Sequence, residues 1–189
     1  MGDLLILHGL EGSGPGHWQR WVAGRFGDVA FPELPDPFRP VRQRWLQALE
    51  DELRPLDEPI VLCHSLGCLL WLHHCAERGA DGPRAARVLL VAPPSEGANV
   101  PEIGDFLPVP VDPVAVASAA GETRLVCADD DPYCPEGARE SYGEPLRLPT
   151  HVIVGGGHLN PDAGYGPWPA VEAWARGQAA DFGATPAGR

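Results

Sequence analysis

The chain has 189 residues, 44% of them hydrophobic and 21% charged, with a formal net charge of −12; this is the profile of an ordinary folded domain that needs no metal or disulfide staple. The negative balance argues against nucleic acid and anionic membrane surfaces as partners. All 14 basic residues are arginine, which excludes Schiff-base lysines, P-loop lysines and Ser-Lys dyads.

The start, "MGDLLILHGLEG", carries an acid where a secretory leader needs basic residues, and its apolar run is short. No stretch approaches the roughly 18 apolar residues of a membrane span. The fourth to eighth residues, "LLILH", predict a buried strand. "GHWQRWVAGRF" (16–26) predicts an amphipathic helix with Trp18, Trp21, Val22 and Phe26 on one side. "VAFPEL" is a short second strand or extended piece, and 40–53 predicts a helix with Val41, Trp45, Leu49 and Leu53 at steps of four. "PIVLCH" (59–64) predicts a strand. The run 66–79 is apolar around most of its circumference, which predicts a helix with little exposed face, ending near Gly79. "ARVLLVAPP" (86–94) is the next strand. Residues 95–121, rich in proline and glycine, give no periodic signal and predict a loop-rich cap or edge. A strand at 123–128, a short helix at 135–143, a strand at 150–156 and a helix at 166–182 complete the series, and 183–189 reads as a frayed tail. Strands alternating with helices predict a single α/β domain over 1–182, built on a mostly parallel sheet with helices on both faces.

The stretch "VLCHSLGCLL" (61–70) breaks an apolar run to place Ser65 between a strand and a helix. A tight strand-to-helix turn lifts such a serine out of the sheet, and demands small residues two before and two after it. Gly67 fills the second place; Cys63 stands in the first, where the usual pattern has glycine. A nucleophilic serine needs a base and an orienting acid. His158 follows three glycines after the last strand, and the 123–128 strand runs into Asp129, Asp130 and Asp131. The order Ser65, Asp131, His158, each just past a strand's C-terminal end, is that of α/β-hydrolases and not of chymotrypsin or subtilisin. An oxyanion hole requires two N–H groups: Leu66, directly after the serine, and Leu10 in the glycine-rich loop 8–18, with Glu11 as the alternative.

These pieces together resemble a small serine hydrolase family known for retinoblastoma-binding protein nine and its bacterial relatives. The resemblance covers nearly the whole chain and rests on "HGLEGSGPGHWQRW", "CHSLGC", "DDDPYCP" and "GGGHLN…GYGPWP". It implies a minimal α/β-hydrolase without a large lid, a Ser65–His158–Asp131 triad, and hydrolysis of small esters. The family pattern sets the acid immediately before Pro132, hence Asp131 over Asp130. Some members are discussed as pocket-protein binders through a Leu-x-Cys-x-Glu motif. Here the nearest match, "LVCAD" (125–129), ends in aspartate inside a predicted buried strand, so that function is not carried over.

Other residues have blander readings. Asp129 and Asp130 read as a solvated loop, and His64 as a packing or hydrogen-bonded histidine. His8 reads as ordering the oxyanion loop. The odd five cysteines lack disulfide or zinc spacing, and three of them, in or beside apolar runs, read as small buried hydrophobes, so no metal and no cofactor is expected. Trp18 and Trp168 flank the oxyanion loop and the histidine, and are expected to line an acyl pocket. The expected partner is a small-molecule acyl substrate, in a reduced, cytoplasmic setting. The competing readings are a non-catalytic interaction module on the same fold, and a thioesterase or aminopeptidase-like acyl hydrolase.

Overall fold

Six strands form one sheet: β1 (Leu4–Leu7), β2 (Val29–Ala30), β3 (Ile60–His64), β4 (Ala85–Val91), β5 (Ala120–Ala128) and β6 (Thr150–Ile153). The computed structural model describes residues 3–78 and 82–183. Every pairing is parallel, in the order β2-β1-β3-β4-β5-β6. The chain steps outward from β1 to β2, then returns to place β3 on the other side of β1. That reversal opens a crevice at the C-terminal ends of β1 and β3.

Strand residues are apolar because both sheet faces are covered. Leu5, Val61 and Val88 stand in one cross-strand row and join the core on one face. The next row, Ile6, Leu62 and Leu89, joins the core on the other. Helices α2 (Arg42–Leu53), α3 (Leu66–Glu77) and α4 (Pro113–Ala119) cover the first face. Helices α1 (Trp18–Ala23) and α5 (Pro169–Ala175) cover the second. Residues Leu66 to Cys75 of α3 are all buried, which answers its all-round apolar sequence. The expected α/β architecture, with helices on both faces and no large lid, is the one observed; the sheet is wholly parallel.

Several elements stop short of their predicted ends. Helix α1 ends at Gly24 and α5 before Gly177, whose φ is +76°. Strand β4 stops where Ala92 turns to φ +51° ahead of Pro93, and β6 stops before Gly155 at φ +66°. The helix expected at 135–143 is a single wide turn, Arg139–Gly143. Residues 95–121 are not a featureless loop. They hold two 3-10 turns (Glu96–Ala98 and Pro101–Phe106), then α4, whose N-cap is the Asp112 side chain. Ile103 and Phe106 anchor this stretch in the core beside α3. Helix α3 closes at Arg78; Gly79 and the predicted tail beyond Gly183 lie outside the described residues. All five cysteines are buried and unbridged, and among the described residues no helix is long and apolar enough to cross a membrane.

Candidate active site

Ser65 sits between β3 and α3 with φ 52° and ψ −123°, a region a non-glycine residue enters only when its surroundings force it. The forcing is visible. The Ser65 N–H donates to the Val91 carbonyl at 3.0 Å. The first turn of α3 presses on the end of β1: a Cβ on Gly67 would lie 2.5 Å from the Leu7 carbonyl oxygen. Cys63, two residues before the serine, is fully buried in the α2–α3 layer, where a thiol is accommodated in place of the usual glycine. On the open side, a Cβ on Gly9 would come within 2.8 Å of the Ser65 Cβ. Only glycine lets the loop after β1 close over the serine.

His158 reaches Ser65 from the loop after β6. Its Nε2 lies 2.9 Å from Ser65 Oγ, and its Nδ1 lies 3.0 and 2.9 Å from the two Asp131 carboxylate oxygens. A carboxylate only accepts, so Nδ1 carries the proton and Nε2 is left to accept the serine O–H. Asp131 is 4% exposed and His158 9%, which shields the bonds between them from water. The structure thus brings together the three side chains singled out in the sequence.

The neighbouring aspartates differ from expectation. Asp129 and Asp130 are exposed, yet the first accepts the Gly155 N–H at 2.8 Å and the second the Gly157 N–H at 2.7 Å. Three consecutive carboxylates therefore grip the glycine loop at successive points, with His158 at the last. Gly155 and Gly157 take positive φ (66° and 56°), so the loop turns its amides toward those acceptors. His64 secures the same loop from below. Its Nε2–H donates to the His158 carbonyl at 3.0 Å, and the two rings pack at a tilt with centroids 5.0 Å apart.

The loop after β1 is equally tied down. His8 donates from Nδ1 to the Gly9 carbonyl at 2.7 Å and accepts the Leu34 N–H on Nε2 at 3.1 Å. Buried Gln19 donates to the Leu7 carbonyl at 2.9 Å and accepts from Ser13 at 2.5 Å, joining the glycine loop to the sheet end. The Glu11 N–H is committed to the Pro37 carbonyl at 2.8 Å. That removes Glu11 as an oxyanion donor. Among the described residues, the Leu10 and Leu66 N–H groups have no protein acceptor.

A cleft of about 450 Å³ opens over Ser65 and His158. Trp18 and Trp168 do not line it, which corrects their expected role. Both are buried, 0% and 1% exposed, and their rings meet edge to face at 5.7 Å in the α1–α5 layer. Trp18 starts α1 and turns with Val22 toward the sheet, where its Nε1–H holds the Leu159 carbonyl at 3.0 Å. The pair supports the two loops from behind. The cleft wall is instead made by His17, one residue before Trp18, and by Val100, Ile103, Tyr133 and Asn160. Sequence reasoning missed these; the signals were slight, a residue next to a singled-out one in His17 and Tyr133, and none for Val100 and Ile103. Tyr133 packs its ring on His158 with centroids 4.4 Å apart, and its N–H donates to Asp131 at 2.9 Å.

Among the described residues, the charged lining of the cleft is Glu11 and Asp162, and no arginine borders it. Its two structural imidazoles stay neutral. Burial, with His158 and Arg20 nearby, pushes His17 down to about 3. Burial beside His17 and His158 pushes His64 well below the ordinary histidine value. The cavity is therefore suited to uncharged groups, with no fixed positive charge to hold an anion.

The fold has counterparts. The ydeN gene product from B. subtilis superposes with a TM-score of 0.81 at 19% identity, over 94% of this chain and 98% of that one. A putative YdeN-like hydrolase from Pectobacterium atrosepticum gives 0.76 at 23% identity, over 92% and 89%. A monoacylglycerol lipase from Paleococcus ferrophilus gives 0.61 at 14% identity, over 94% and 95%. At these identities the likeness is one of fold, the α/β-hydrolase fold. No curated protein matches the chain. The model of the serine hydrolase family matches residues 4–176, a span that takes in Ser65, Asp131 and His158 alike, and the chain belongs to that family.

Proposed function

We propose that this hydrolase cleaves small carboxylic esters through an acyl-enzyme, with Ser65 as nucleophile, His158 as general base and acid, and Asp131 as the orienting acid. The observation that carries the reading is the unbroken run from Ser65 Oγ through His158 to Asp131, every step at 2.9–3.0 Å. His158 takes the serine proton as Oγ attacks the ester carbonyl; the alkoxide leaves with that proton. Asp131 holds the imidazole tautomer and stabilises its charged form during attack. The Leu10 and Leu66 N–H groups receive the oxyanion, helped by the positive end of the 12-residue α3. Water then repeats the attack on the acyl group, and Ser65 is released.

A short acyl group suits a cleft of about 450 Å³ walled by Val100 and Ile103. A non-catalytic module has less support, because such a module has no use for a strained serine at φ 52° held against an imidazole. The test is kcat/KM over a panel of short acyl esters, thioesters and aminoacyl amides, with Ser65→Ala as control. Esters are expected to lead and the variant to be silent. Equal turnover by Ser65→Ala would refute the reading, and a lead for thioesters or amides would move the substrate class.

A further inference from the structure

His17 and Asn160 share a property that the hydrolase chemistry leaves unused. Each spends its acceptor on capping a turn. His17 Nδ1 accepts the Gln19 N–H at 3.1 Å at the start of α1. Asn160 Oδ1 accepts the Ala163 N–H at 3.1 Å at the start of the 3-10 turn Pro161–Ala163. What remains on each is a donor: the Nε2–H of a neutral imidazole and the NH₂ of an amide. His17 is 5% exposed, and its Nε2 is buried without any hydrogen-bond partner. The Asn160 amide nitrogen likewise has no protein acceptor among the described residues. Both residues line the cleft over Ser65. Their segments adjoin, since Trp18, next to His17, donates to the carbonyl of Leu159, next to Asn160.

A buried donor without a partner is unfavourable unless something in the working protein satisfies it. We infer that His17 and Asn160 form a donor pair that receives an oxygen on the acyl chain, so that the preferred substrates are esters of short hydroxy- or oxo-acids. This rests on the acyl-hydrolase reading above and adds the substrate class. The oxygen is that of a neutral group. Glu11 and Asp162 border the same cleft and disfavour a carboxylate there. The neutral state of His17, pushed down to about 3 by burial, keeps the ring a hydrogen-bond donor without making it a cation. A plain alkanoyl chain of equal volume leaves both donors unpaired, and a site built to bond an oxygen rejects such a mimic.

The test uses two near-isosteric 4-nitrophenyl esters, 3-hydroxybutyrate and 3-methylbutyrate, with kcat/KM divided by each ester's hydroxide-catalysed rate. The wild type is expected to favour the hydroxy ester by ~10-fold. His17→Ser, whose capping hydroxyl falls short of the Nε2 position, and Asn160→Asp, which keeps the capping oxygen without the N–H, each remove the donor, and each is expected to erase most of that ratio. A general structural fault would lower both rates and leave the ratio in place. If His17→Ser does not fold, His17→Asp, which caps with an oxygen and has no N–H, and Asn160→Asp carry the same measurement. A ratio near one in a wild type that still takes a fluorophosphonate label overturns this inference alone. A ratio that survives in both variants overturns it too. A wild type inert to the label and to both esters removes the hydrolase reading, and this inference with it.

Discussion

Ser65 and His158 meet at 2.9 Å but are held by different physics. Ser65 is positioned by packing: it lies between a fully buried strand and the buried first turns of α3, with Gly67 against the Leu7 carbonyl. His158 is positioned by hydrogen bonds, from three aspartates and His64, on a loop with two positive-φ glycines. The nucleophile's place is therefore insured by the core, which only overpacking or cavities disturb. The base's place depends on polar contacts that substitution and pH can reach. Damage on the two sides should differ in kind: stability on the first, turnover on the second.

The sharpest break in that contrast is Asp131→Asn, which is expected to lower kcat by on the order of 10⁴-fold through loss of the imidazole tautomer. Its urea midpoint should move far less, as equilibrium unfolding would record. On the packing side, Gly67→Ala drives a Cβ to 2.5 Å from a backbone oxygen. The expected cost is about 1–3 kcal/mol of unfolding free energy, read by the same urea titration. Next come Asp129→Ala and Asp130→Ala. Each removes one hydrogen bond to the His158 loop, and each is expected to reduce kcat about five- to tenfold, the worth of about one hydrogen bond. A fall in stability without a fall in kcat would contradict the division of labour.

The last effect is in pH. His17 has a folded value of about 3 against 6.5 for the free side chain, so below pH 6.5 the unfolded chain takes up a proton that the folded chain refuses. Its contribution is fully present above pH 6.5 and declines as pH falls toward 3. The slope is at most about 1.4 kcal/mol per pH unit. His17→Asn should flatten the melting-temperature profile between pH 6.5 and 5 by a corresponding amount.

Much of the site was legible because strand ends carry signals that survive without coordinates. Ser65 interrupts an apolar run, Asp131 ends one, and His158 follows three glycines; chain order then supplied the roles. What sequence did not yield was direction. Trp18 and its neighbour His17 are adjacent in the chain, yet the tryptophan turns into the α1–α5 core while the histidine lines the cleft. Periodicity identifies a core face but not which residue at a helix's first turn looks outward. The solvated reading of Asp129 and Asp130 was incomplete for a related reason. Their partners are the amides of Gly155 and Gly157, more than twenty residues away, and exposure alone does not distinguish a solvated carboxylate from a bonded one. Residues 95–121 stayed unread because 3-10 turns and a seven-residue helix carry too few turns to show a period.

The central claim is that packing around Ser65 and the hydrogen bonds that hold His158 make one serine among all others nucleophilic. Incubation with a fluorophosphonate, followed by intact-mass measurement and peptide mapping, tests it directly. A single adduct on Ser65 is expected, absent from Ser65→Ala and strongly slowed in His158→Ala. An adduct on a different residue, or a wild type that stays unmodified while folded, would contradict it.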